Sequence, residues 1–173
     1  MLKIAALALA ASATTASPAL VSKAPWWEKV TVTIAADGQA QSCRYESNMR
    51  NAASESCQVE GSATAASSVG NAKDSYTRIT FERRFSPGSQ PDSGALQTGD
   101  TLLGRQVLAL AIDGGGAVKG CTVVASSGSV TPAYGCADAS AERFEAAAKQ
   151  SAEVAPTRGF MTVLVYGHEE HVV

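Results

Sequence analysis

The chain has little charge and no bias in the charge it has. Fourteen Lys and Arg stand against sixteen Asp and Glu, a formal net charge of −2, and charged residues fill only 17% of its 173 positions. Nucleic-acid phosphates and anionic membrane surfaces both demand a basic stripe, so neither is expected as a partner. Histidine is scarcer still, with two residues, both in the C-terminal "HEEH". The many serines therefore have no placed base to activate them, and no G-x-S-x-G elbow is present. Beyond the first twenty-odd residues no apolar run approaches the roughly 20 residues that a membrane span needs.

What is present begins with an address. The opening MLKIAALALAASATTASPALVSK sets one lysine before an Ala/Leu segment that gives way to small residues, the pattern of a secretory signal. Cleavage fits after Ala13, Ala16 or Ala19; the short hydrophobic core favours the last two, and residues 1–19 are read as the signal. An uncleaved anchor is the competing reading, but two Thr, two Ser and a Pro interrupt residues 4–21. A periplasmic or secreted chain on the order of 155 residues follows, one ordinary domain or two very small ones.

Four cysteines in an exported chain are most simply two disulfides, with three possible pairings. The spacing repeats: a glycine turn, a few polar residues, a cysteine, and a second cysteine about fourteen residues on, first at Cys43 and Cys57 and again at Cys121 and Cys136. That repetition favours the local pairs. Each such loop stabilises its unit by roughly 3 kcal/mol in the chain-entropy view.

Shifting the chain by 78 positions sets VTVTIAADGQAQSCRY over LALAIDGGGAVKGCTV, so that Val30, Val32 and Ile34 meet Leu108, Leu110 and Ile112, Gly38 meets Gly116 and Cys43 meets Cys121. Period-2 apolar positions that run into a Gly turn and out again predict a β-hairpin opening each half. Thr31 and Thr33 face away from the apolar set, whereas VLALAI is apolar on both faces and predicts a more central strand. A helix is expected after each hairpin, within residues 51–68 and from Pro132 to about Lys149, where Cys136, Ala139, Phe144 and Ala147 recur at near-helical spacing. SYTRITFERRF and GFMTVLVYGHEE then predict closing strands. The expected fold class is thus α+β, two disulfide-stapled β-β-α-β units with antiparallel sheets over residues 26–85 and 101–173, joined by a Pro/Gly/Ser-rich linker at 86–100.

The segment GRQVLALAIDGGGAVKGCTVVASSGS is similar to the C-terminal domain of TonB and TonB-like periplasmic proteins: an apolar strand, a D-x-x-G turn at Asp113 and Gly116, a second strand with Cys121, and "SSG" at 126–128 ahead of a helix holding Cys136. The "ERFEAA" at 142–147 resembles the family's helix-ending R-F-x-P-A, with Ala146 in place of Pro, which lets the helix run on. The resemblance covers about 70 residues, 104–173, with the first half a degenerate copy. It implies a non-enzymatic binding or scaffold protein of the cell envelope that receives an extended peptide at a sheet edge. It does not imply energy transduction, because the long Pro-rich spacer and a credible anchor are missing.

On that reading the peptide-binding edge would use Arg78, Glu82 and Arg84 on one strand, or Thr162, Leu164 and Tyr166 on the other. The opposing reading of "ERR" is an edge guarded by charge. No catalytic residue, metal site or cofactor is expected. The histidines of "HEEH" stand at i and i+3 on a strand end, not at i and i+4 of a zinc-protease helix. "DGGG" at 113–116 reads as a hairpin turn rather than a phosphate loop, because no Gly-Lys-Ser/Thr follows. Glu142 with Glu145, and Glu169 with Glu170, read as exposed acids. Trp26 and Trp27 read as a staple on the first strand or as a stacking pair. A small secreted hydrolase or enzyme inhibitor, and a membrane-anchored transducer, are the alternatives.

These expectations meet in one measurement, the intact mass of the envelope protein before and after reduction with a map of its crosslinks. The expected outcome is loss of the first 13 to 19 residues and crosslinks Cys43 to Cys57 and Cys121 to Cys136. An intact N-terminus points to the anchored transducer.

Overall fold

The structure, a computed structural model, describes residues 19–49, 55–57, 76–146 and 155–169. The alternating segments form strands β1 (Trp26–Ile34), β2 (Ala40–Ser47), β3 (Glu55–Ser56), β4 (Arg78–Pro87), β5 (Asp100–Ile112), β6 (Val118–Gly128) and β7 (Thr157–His168). Among the described residues the one helix is α1 (Cys136–Ala141). All strands join a single sheet in the order β3-β2-β1-β4-β7-β5-β6, with every neighbour antiparallel.

The α+β expectation is therefore corrected to a nearly all-antiparallel β fold. The second-half helix stops at Ala141 because tertiary pairing overrides helix propensity. Glu142 turns extended, with ψ 156°. The next residues form main-chain bonds on two sides: Leu20 N–H donates to Arg143 O at 2.8 Å, Phe144 N–H to Gly116 O at 2.8 Å, and Glu145 N–H to Leu20 O at 2.8 Å. Ala146 consequently does not prolong the helix, and residues 147–149 lie outside the described residues. Of the first-half stretch 51–68, the described part holds β3. All but the last residue of the expected signal, 1–19, also falls outside them. Leu20, the residue after it, is buried at 8% exposure.

The two hairpins repeat in register as well as in pattern. Val32 pairs with Cys43 and Leu110 with Cys121; Thr31 pairs with Arg44 and Ala109 with Thr122. Each pair is its counterpart displaced by 78, and each hairpin is irregular at the same place, Thr33/Ile34 and Ala111/Ile112. Both turns carry a glycine in the left-handed region, Gly38 at φ 78° and Gly116 at φ 85°. The closing strands correspond too: Glu28 lies opposite Arg83 as Gln106 lies opposite Val163. β4 and β7 pair with each other from Arg78↔His168 to Pro87↔Gly159, and Arg83 faces Val163, its own counterpart. The sheet thus has an approximate two-fold relation centred on that pair.

Period 2 sends the apolar residues to one face. There Trp26 stacks on Phe85 with ring centroids 5.8 Å apart, and Phe85 meets Phe144 at 5.1 Å. Leu108, Leu110, Met161 and Ala139 belong to this larger cluster, while Val32, Ile34, Ile79, Leu103 and Val165 form a second. The row Glu28, Arg83, Val163 and Gln106 crosses the sheet where they meet, with Val163 packed into the larger one. Both disulfides have the local pairing, Cys43–Cys57 with Cα atoms 5.1 Å apart and Cys121–Cys136 at 5.5 Å. The second ties α1 to β6.

Gly104 is fixed by packing: a Cβ there would overlap the carbonyl of Val130, main chain that has no rotamer to escape into. Gly104→Ala is expected to cost about 1–3 kcal/mol in a urea melt. Gly114→Ala, where a Cβ meets nothing within 4 Å, is expected to stay within about 0.5 kcal/mol of wild type.

Candidate functional site

The strands expected to offer a peptide-binding edge, β4 and β7, lie at the centre of the sheet and are paired on both sides. They are not edges, so their main chain has no free hydrogen-bonding row to offer. The structure nevertheless gathers four of the six residues named for that role on one wall, because Arg78, Glu82 and Arg84 share a face with Tyr166 across the pair. They line a polar groove of about 330 Å³ on the face opposite the aromatic core, together with Lys29 and His168. Thr162 and Leu164 are not in it. Thr162 is fully buried and Leu164 is 3% exposed. Gly94 passes so close that a Cβ on it would stand 2.9 Å from the Leu164 side chain.

That close approach belongs to residues 88–99 of the expected 86–100 linker, whose ends are taken up by β4 and β5; they cross this face rather than span free space. Asp92 fixes them, accepting from Arg84 Nε at 2.9 Å and from Gly94 N–H at 2.9 Å. For Asp92, burial alone would raise the carboxyl, but the Gly94 amide and Arg84 outweigh it and hold it below the usual range. Arg84 also pairs with Glu82, whose second oxygen accepts from Tyr166 OH at 2.9 Å. His168 Nδ1 lies 3.1 Å from Asp100 Oδ1, and Lys29 Nζ lies 3.4 Å from Glu46. The acids of the groove are thus already engaged by neighbouring side chains. This is an interlocked polar face that clamps a loop.

A second charged cluster went unmarked in the sequence. Arg83, on the apolar face, donates to both Glu28 and Glu142 and lies over two rings, 5.4 Å from the Trp26 centroid and 5.2 Å from that of Tyr134. Tyr45 OH donates to Glu28 at 2.8 Å, and Tyr134 OH to Glu142 at 3.3 Å. Burial works against the Arg83 charge, but Glu28 and Glu142 more than offset it and hold its pKa above the ordinary value. Glu142 is accordingly not the exposed helix acid expected. The signal was legible: Arg83 shares the parity of Ile79 and Phe81, so a charge was written onto the apolar face.

The other candidates resolve simply. Asp113 is the hairpin turn, its Oδ1 accepting from Gly115 N–H at 3.0 Å and Ala117 N–H at 2.9 Å. Those amide bonds, Ala117's first, hold its carboxyl low. Trp26 is buried in the core, whereas Trp27 lies on the other face with Lys29 Nζ 5.3 Å from its ring. Of "HEEH", Glu170 and His171 lie outside the described residues. Among the described residues no group of three or more His, Cys, Asp or Glu is arranged to hold a metal.

Among the described residues the sheet has one long open edge: β6 pairs with β5 alone, and residues 122–129 are exposed. Val123 and Val124, at 45% and 53%, are two of the three exposed large hydrophobics among the described residues. No protein-family model, no curated protein and no solved structure matches the chain.

The half-buried phenols set a pH limit on the fold. Tyr45 is pushed from 10.0 to about 12, first by burial and then by Glu28, and Tyr134 and Tyr166 are raised further, again first by burial. Below pH 10 both folded and unfolded chains keep these protons. Between pH 10 and about 12 the unfolded chain releases them and the folded chain does not, so stability falls as pH rises. Denaturant melts across that window are expected to show this loss, with a shallower slope for Tyr45→Phe.

Proposed function

We propose that this is an exported, non-enzymatic binding or scaffold protein, of the TonB-like type in its second half, that receives an extended polypeptide at a sheet edge. The observation that carries the reading is β6: an eleven-residue strand with one side of its main chain unpaired among the described residues and two exposed valines on it. Strand addition draws affinity from main-chain hydrogen bonds and choice from alternate side chains. The two disulfides support passage to an oxidising compartment, the periplasm or the exterior. The binding edge is assigned to β6, with the groove of Arg78, Glu82, Arg84 and Tyr166 serving to hold the central strands and the 88–99 loop.

The test is amide hydrogen exchange on the oxidised protein with peptides selected against it from a random display library. The expected result is slowed exchange confined to β6, and binding weakened by about tenfold or more by Val124→Lys. A footprint on the groove formed by Arg78 and Tyr166 overturns the edge reading.

A further inference from the structure

The first half shows what this kind of edge accepts. On β2 the outer edge at Arg44 and Tyr45 is filled by β3, with Arg44↔Ser56 and Tyr45↔Glu55 antiparallel. Because β2 and β6 hold the same register against β1 and β5, the counterparts of Arg44 and Tyr45 are Thr122 and Val123. In the second half, however, the residues before Cys136 do not return to this edge. Tyr134 lies over Arg83 instead, and Gly135 starts α1, its N–H donating to Asp138 at 2.8 Å. Among the described residues the counterpart of the β3 slot is open.

Its chemistry favours one occupant. Edge strands are normally protected by proline, charge, a bulge or a covering segment. β6 has a bulge, with Val124 as the extra residue between the pairs Leu108↔Val123 and Val107↔Ala125, and one lysine near its start. Its remaining residues carry no charge and no proline. Lys119, the one charge, pairs with Asp113 at 3.6 Å in its own hairpin. Two β6 strands laid antiparallel about a two-fold axis would set their lysines at opposite ends and their valines together, with no like charges opposed.

The other edge supports a closed pair rather than a filament. β2 is capped by β3 and bears Arg44 and Glu46, which pair with each other at 3.9 Å. A chain with one open edge and one guarded edge stops at two copies.

We propose that β6 pairs antiparallel with β6 of a second copy, making a two-fold dimer with one continuous sheet. This rests on the edge reading above and names its occupant. The test is sedimentation of the exported, oxidised chain over a wide dilution range, with hydrogen exchange at high and low concentration. Wild type is expected to sediment as two chains, with β6 amides protected in proportion to dimer. Val124→Lys and, separately, Ser126→Lys are each expected to halve the mass while leaving far-UV circular dichroism unchanged, since both positions are exposed, and to melt at the temperature of wild type diluted to the single chain. A single-chain mass at every concentration, or a dimer indifferent to both lysines, overturns the proposal. If wild type is monomeric while a selected peptide still protects the β6 amides, the dimer fails and the edge-binding reading stands. If neither a second copy nor a peptide protects β6, both fail.

Discussion

The antiparallel pairing of β4 with β7, from Arg78↔His168 to Pro87↔Gly159, makes one sheet of two halves that could not each bury an apolar face. Each half by itself is a hairpin with a third strand beside its first, a three- or four-stranded ribbon too small to cover an apolar face. Joining the halves through their last strands gives one sheet with two cores on a single face. The same pairing takes β4 and β7 out of contention as edges and brings Arg78, Glu82, Arg84 and Tyr166 onto one wall. There Arg84 engages Glu82 and, through Asp92, the loop at 88–99, while Tyr166 donates to Glu82.

The two-fold relation is broken where it is centred. Arg83 of the first half faces Val163, its counterpart, and Glu28 has Gln106 as its own. A guanidinium so largely withdrawn from water is tolerated only with partners, since an unpaired buried charge is strongly destabilising. Arg83 takes one carboxylate from each half, Glu28 from the first and Glu142 from the second, and two aromatic faces besides. Holding Glu142 and Tyr134 in place bends the chain on both sides of α1. The helix is held to six residues, and the stretch before Cys136 stays away from β6. The central arginine and the open edge are two ends of one asymmetry: the first half closes its own edge with β3, and the second uses the corresponding stretch to partner a charge.

Much of this was written locally. The hairpins could be read from Val30, Val32 and Ile34 and their counterparts 78 residues on, because side chains alternate across a strand whatever its neighbours are. The turns could be read from Gly38 and Gly116, whose positive φ a tight hairpin needs. The disulfide pairs followed from the repeat of those hairpins, which sets the two cysteines of each half close together. Arg83 could have been read and was not: a charge in phase with Ile79 and Phe81 needs a buried partner.

Residues close together in the chain thus suffice for six of the seven strands, their turns and their staples; β3 lies where a helix was expected. The tertiary structure alone decided which strands are neighbours, and with that, which are edges. Strand order is a property of residues far apart in the chain; nothing in SYTRITFERRF records that GFMTVLVYGHEE will lie beside it. The helix after Pro132 shows the same limit from the other side, since its alanines favour continuation while the Arg83–Glu142 pair and the main-chain bonds of residues 143–145 with Leu20 and Gly116 end it. Local propensity differs by a few tenths of a kcal/mol per residue, and a buried ion pair and a strand bridge outweigh it.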